Sequence, residues 1–123
     1  MNEQLTKTDV YEAEIETVID EIKDLFLAKN RSYNNDNDPM LNFTIGGILR
    51  HGNAGEAGRY EAMKDYVMKH IAKVYSHDIS AQHIDESLRD IAVYMIIGIV
   101  MKRRFEKAIA QQYAQTTPKD LED

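Results

Sequence analysis

Apolar residues recur every three or four positions along most of this chain, and no segment shows the strict alternation that is typical of a half-buried β-strand. The first such stripe predicts a helix from Thr8 to about Asn30, with Thr8 or Asp9 as its N-cap. The apolar members of this stripe are Ile15, Val18, Ile22, Leu25 and Phe26.

Two more helices are predicted in the middle of the chain. Asp38 fits an N-cap and Pro39 fits the first helical position, so a helix is expected from Pro39 to His51, where Gly52 ends it. A third helix covers about residues 59–75. Turn-forming residues fill the segments before and after the second helix, at 31–38 and 53–58.

The fourth predicted helix is the longest, with Ser80 as its cap and an end near Gln112. It would be about 50 Å long, whereas a domain of this size has a radius of gyration of roughly 14 Å, so the helix must bend or protrude. Phe105, Ala108 and Ile109 form an apolar ridge on its far half, which predicts a homodimer or homotetramer. The alternative is that the first helix packs along this ridge.

These patterns predict an all-α fold of four to five helices with a long C-terminal helix. One domain is expected over residues 1–115, followed by an acidic flexible tail at 116–123. Hydrophobic residues make up 43% of the 123 residues, which is enough for a core.

Composition excludes several classes of function. The absence of cysteine rules out disulfides, thiolate zinc sites and cysteine catalysis, and it fits a cytoplasmic protein. A net charge of −6 argues against a general nucleic-acid binder. Apolar runs reach only about 11 residues, short of the ~20 that span a bilayer, so no membrane partner is expected.

The most informative polar residues are Glu86 and Asp90, which precede the strongly apolar segment 91–101. Residues four apart share one face of a helix, so the two carboxylates would repel each other unless a cation lay between them. Mg²⁺ takes oxygen ligands of this kind. The pair therefore predicts a magnesium site, or, in the alternative, acids that complement the dipole of an early helical turn.

A second pair, Glu61 and Asp65, has the same spacing on the third helix. If a tight turn joins the third and fourth helices, they pack antiparallel, and Asp65 lies level with Asp90. The two acid pairs would then converge into a carboxylate cage for one or two Mg²⁺ ions, with catalytic as well as metal-binding roles. The alternative for Glu61 and Asp65 is that they are ordinary solvent-exposed acids on a helix rich in charged residues.

Other residues fit nucleotide binding. Lys64 and Lys69 could offset the carboxylate charge or contact a phosphate, while Tyr33, Asn42 and Phe43 flank the second helix and could hold a nucleobase. The alternative for the last three is ordinary loop and core packing. No glycine-rich phosphate loop or nucleophilic serine motif is present, and the dipeptide at 77–78 resembles that of the HD phosphohydrolases only faintly.

An ordered set of short motifs carries a resemblance to a known family. The set comprises Lys29-Asn30-x-Ser32-Tyr33, Asp38-Pro39-x-x-Asn42-Phe43, Met63-Lys64, Lys69-x-x-x-Lys73 and Glu86-Ser87-x-x-Asp90-Ile91-Ala92-x-Tyr94. In this order it resembles the small MazG-like proteins of bacteriophages and prophages, including the group called nucleotide modification associated domain. The match runs from Lys29 to Tyr94, over half of the chain.

The resemblance implies an all-α nucleoside triphosphate pyrophosphohydrolase fold. Members of that superfamily use Mg²⁺ on helix carboxylates to split a (deoxy)nucleoside triphosphate into monophosphate and pyrophosphate. Glu86 and Asp90 carry over onto the family's E-x-x-D helix, and Lys29, Tyr33 and Tyr94 onto motif positions expected to bind substrate. Glu61 and Asp65 only approximate the family's E-E-x-x-E helix, and Ser32, Asn34 and Lys73 replace its usual aspartate, glycine and arginine.

Three hypotheses follow. The first is a Mg²⁺-dependent nucleotide pyrophosphohydrolase in the cytoplasm of a bacterial host, and the second is a non-catalytic nucleotide-binding or sequestering protein on the same fold. The third is a helical interaction module whose acid pairs only solvate its helices.

Overall fold

Four α-helices make up the part of the chain that the computed structural model describes, residues 4–33 and 38–116, with side chains described over 4–31 and 38–115. The helices are α1 (Lys7–Tyr33), α2 (Leu41–His51), α3 (Glu56–Ser76) and α4 (Ile84–Thr116). No strand occurs within these ranges, which confirms the all-α prediction. The tail predicted at 116–123 lies outside the described residues, apart from the backbone of Thr116.

The chain divides into two units, Met1–Pro39 and Met40–Asp123. The described part of the first unit is α1, the residues just before it, and residues 38–39. The backbone amide of Thr6 donates to Asp9 Oδ2 at 2.9 Å, and the amide of Asp9 donates to Thr6 Oγ1 at 3.0 Å. This reciprocal capping box makes Thr6 the N-cap, so the predicted cap at Thr8 or Asp9 was wrong.

In the second unit, α2 begins at Leu41, two residues later than predicted. Its N-cap is Met40, which makes no side-chain cap, so the prediction of Asp38 as N-cap was wrong. Met40 is instead buried in the core, and its carbonyl accepts the amide of Thr44 at 2.9 Å. The predicted stop is confirmed: Gly52 has φ +63°, which a glycine adopts without strain, and its amide donates to the Ile48 carbonyl.

α3 packs against both α2 and α4. It approaches α2 closely because glycines face each other: a Cβ on Gly47 would lie 2.8 Å from the carbonyl carbon of Gly58. The core that these three helices enclose is rich in methionine. Its buried members are Met40, Phe43, Ala62, Met63, Val67 and Met101.

The connection between α3 and α4 is longer than the sequence suggested. Ser80 does not cap α4, because its amide and hydroxyl both bond to Asp78 Oδ1 within a turn, and these bonds hold the pKa of Asp78 below its ordinary value. The chain then passes through His83, which has φ +65°, and α4 begins at Ile84.

This later start shifts the pairing of α3 and α4 along the helix axes. Gly98 faces Met63, since a Cβ built on Gly98 would lie 2.9 Å from the Met63 terminal methyl. His70 therefore lies near the level of Asp90, where Asp65 had been expected.

α4 continues well past the core. Met101 is only 1% exposed, whereas residues 102–115 are all exposed. No helix in the described part of the chain is long and apolar enough to cross a membrane.

Candidate functional site

Glu86 and Asp90 lie one turn apart near the start of α4, in different surroundings. The Asp90 side chain is 19% exposed and sits against α3, where Asp90 Oδ2 lies 3.8 Å from His70 Nδ1. The Glu86 side chain is 62% exposed, with Oε1 3.3 Å from His83 Nδ1. One carboxylate is thus largely enclosed by protein, and the other is mostly exposed to solvent.

The second acid pair faces other partners. Asp65 Oδ2 lies 2.7 Å from His51 Nε2 and 3.9 Å from Arg50 Nη1, so Asp65 ties α3 to the end of α2. Glu61 Oε2 lies 2.9 Å from Lys64 Nζ. The hydrogen bond to the Glu61 carboxylate raises the pKa of Lys64 above its ordinary value.

The predicted convergence of the two acid pairs into one cage is therefore not seen. Within the described residues, no group of three or more histidine, cysteine, aspartate or glutamate side chains is placed to hold a metal ion. The reason is the shifted register: His70, and not Asp65, occupies the α3 level of Asp90.

The pair Glu86 and Asp90 still fits the chemistry of Mg²⁺. This ion commonly takes only one or two protein carboxylates and completes its octahedron with water and substrate phosphate oxygens. Two carboxylates one turn apart on a helix supply such a donor set. To bind the ion they would exchange their histidine partners, His83 and His70, for the metal.

The residues predicted to bind the base occupy mixed positions. Phe43 is 4% exposed and packs in the core, which agrees with the alternative of core packing. Its ring centroid lies 6.3 Å from that of Tyr94, which is partly exposed. The backbone carbonyl of Asn42 accepts a hydrogen bond of 3.2 Å from the Tyr66 hydroxyl.

Three predicted lysines are exposed. Lys64 lies over the ring of Tyr60, with its Nζ 5.1 Å from the ring centroid. Lys69 is five residues further along α3, on a different side of the helix. Lys29 lies on α1 in the first unit. Tyr33 is the last residue of α1, and its side chain is outside the described residues.

Sequence reasoning missed an aromatic cluster on the α3 face that carries His70. The Tyr66 ring centroid lies 5.7 Å from that of Phe43, and the His70 ring centroid lies 6.0 Å from that of Tyr94. Arg50 stacks over Tyr66 at 5.8 Å. Tyr66 and His70 are four residues apart on α3, a spacing that was available from the sequence and marks one helix face.

Comparisons with known proteins add no identification: no family profile, no curated protein and no solved structure matches this chain.

Proposed function

We propose that this protein is a Mg²⁺-dependent nucleoside triphosphate pyrophosphohydrolase-like protein of the MazG-like type, which cleaves a (deoxy)nucleoside triphosphate to the monophosphate and pyrophosphate. The observation that carries the proposal is the position of Asp90. It is a largely enclosed carboxylate at a helix–helix boundary, one turn from the exposed Glu86 and beside an aromatic cluster. The ordered motifs from Lys29 to Tyr94 support it.

Each residue has a role that its surroundings permit. Glu86 and Asp90 hold the Mg²⁺ ion, which, when bound, supplies an activated water and a clamp on the phosphates. Packing between α3 and α4 keeps Asp90 in place, with His70 beside it until the metal takes over its carboxylate. Lys69 gives the α3 surface beside Tyr66 positive charge for the phosphates, and Tyr66 and Tyr94 border this surface with aromatic rings. Lys64 points to nearly the opposite side of α3 from Tyr66 and pairs with Glu61 instead.

A second candidate function is nucleotide binding without hydrolysis. One observation favours it: each of the four predicted acids already has a basic partner, at 2.7 to 3.8 Å. A metal ion must compete with these partners, whereas a nucleotide held through Lys69 and the aromatic rings need not.

The test is incubation of the protein with a panel of ribo- and deoxyribonucleoside triphosphates, with and without Mg²⁺, with pyrophosphate and phosphate measured separately. Pyrophosphate release that requires Mg²⁺ is the expected result. Glu86→Gln should abolish it. Glu106→Gln is the matched control, since both glutamates lie on α4, both side chains are 62% exposed and both have a basic partner within one turn.

Three outcomes discriminate the hypotheses. Equal activity in the two variants would contradict the metal role of Glu86. Binding of a nucleotide, seen by calorimetry, without product formation would favour the second candidate. Absence of both binding and product across the panel would contradict both candidates and leave the helical interaction module.

A further inference from the structure

The outer face of α4 carries a stripe of exposed apolar side chains in the region where its opposite face packs in the core. Leu88, Met95 and Ile99 are 50%, 43% and 53% exposed, and Ala92 lies between them. Ile96 borders the stripe and is also about half exposed. We call the set Leu88, Ala92, Met95 and Ile99 the outer stripe.

The spacing of the outer stripe is that of a helix–helix seam. Its members follow one another at intervals of four, three and four residues, which keeps one line of contact along a paired helix. The core-facing residues of α4, including Ser87, Tyr94 and Met101, lie on the other side. The outer stripe is therefore not part of the core, and it spans roughly 16 Å.

We propose that the outer stripe pairs with the outer stripe of a second copy of this chain, with the two α4 helices antiparallel about a two-fold axis between Val93 and Tyr94. This arrangement sets Leu88 level with Ile99 of the second copy. It sets Ala92 level with Met95, so that the smallest member of the stripe faces a long, adaptable side chain.

Charge complementarity supports the antiparallel direction. The same two-fold axis brings Asp85, one turn before the stripe, level with Lys102 of the second copy, one turn after it. Both side chains are about two-thirds exposed and carry opposite charges, and each also pairs within its own helix, Asp85 with Arg89 at 2.9 Å and Lys102 with Glu106 at 3.4 Å. A parallel pairing would instead set Asp85 against Asp85 and Lys102 against Lys102, which is repulsive.

The far half of α4 would also lie beside part of the second copy. Residues 102–115 extend past the core, and Ile109 and Tyr113 are exposed there. In the antiparallel pair, Ile109 lies level with the α3–α4 connection of the second copy, which carries Ile79, an isoleucine that is 95% exposed. These contacts extend the interface beyond the three turns of the stripe, toward the ~800 Å² per partner of a stable complex.

The oligomeric state provides the first test. Sedimentation equilibrium at micromolar concentration should give twice the chain mass of 14.2 kDa. Ile99→Lys should raise the dimer dissociation constant at least tenfold. Ile48→Lys, which places the same charge at an equally exposed isoleucine on α2, should leave the dimer intact. A monomeric wild type, or equal weakening by both variants, would overturn the proposal.

The antiparallel direction of the two α4 helices is tested by disulfide cross-linking. Because the chain has no cysteine of its own, only the introduced cysteines can react. A mixture of Leu88→Cys and Ile99→Cys chains should form a mixed disulfide-linked dimer under mild oxidation. Either variant alone should not, because identical positions are roughly 16 Å apart along the axes, well beyond the reach of a disulfide. Efficient self-cross-linking of Leu88→Cys would mean a parallel pair and would refute the arrangement. Neither test depends on the nucleotide site.

Discussion

The close approach of α2 and α3 makes a sharp prediction about two glycines. Gly47 and Gly98 are both buried and lie inside α2 and α4 respectively. In an ordinary helix interior, replacing glycine by alanine gains up to about 1 kcal/mol of stability. The net change in stability at each site depends on which atoms the new Cβ would contact.

At Gly47 the new Cβ would meet only backbone. It would lie 2.7 Å from the carbonyl oxygen of Asn53 and 2.8 Å from the carbonyl carbon of Gly58, so α2 and α3 must move apart. Overpacking of this kind costs about 1–3 kcal/mol or more, which exceeds the propensity gain. At Gly98 the nearest atom is the terminal methyl of Met63, at 2.9 Å, and a methionine end group can rotate away.

We therefore expect Gly47→Ala to lower the free energy of unfolding by roughly 1–2 kcal/mol, and Gly98→Ala to leave it unchanged or raise it by up to about 1 kcal/mol. Urea unfolding followed by circular dichroism measures both, with the slope m as a check that the unfolding reaction is the same. Equal stabilities for the two variants would refute the reasoning, because the propensity gain alone would then explain both.

Three other predictions follow from single sites. Met101→Ala should destabilise the protein by about 2–5 kcal/mol in the same urea experiment, since Met101 is almost fully buried; a loss below 1 kcal/mol would contradict its core role. The double variant Glu86→Gln, Asp90→Asn should lose any thermal stabilisation by Mg²⁺ with nucleotide, while its metal-free stability changes by no more than about 1 kcal/mol; retained stabilisation would count against the metal site. Hydrogen bonds from the Thr6 backbone amide and hydroxyl lower the pKa of Asp9. The contribution of Asp9 to the α1 cap is therefore complete above its ordinary pKa of 3.8 and disappears as the pH falls through the lower folded value. An NMR titration of Asp9 should show this, and Thr6→Val, which removes the hydroxyl and keeps the backbone amide, should raise the pKa only part of the way to 3.8.

The sequence predicted a helix end correctly where that end depends only on neighbouring residues. The stop at Gly52 was correct because a left-handed residue after a helix depends on the chain itself. Ser80 failed as a cap because Asp78, two residues away, takes its amide and hydroxyl into a turn. Choosing between two local hydrogen-bonding patterns requires knowing where the next helix packs.

The candidate site shows the same limit on a larger scale. Glu86 and Asp90 could be paired from their spacing alone, because both lie on one helix. The expected meeting of Asp65 with Asp90 depended on the length of the α3–α4 connection, and a few additional loop residues placed His70 there instead. The link between His51 and Asp65 depended on the angle between α2 and α3, on which the sequence pattern carries no information.

The position of α3 between its two sequence neighbours has a consequence for how the second unit folds. Helices α2, α3 and α4 follow one another in the chain, and the main packing contacts join α2 to α3 and α3 to α4. Each contact therefore closes only a short loop, which costs little chain entropy before it brings stabilising contacts. The main phase of stopped-flow refolding should finish within milliseconds, before dimer association and proline isomerisation, with α3 as the common element against which both neighbours pack.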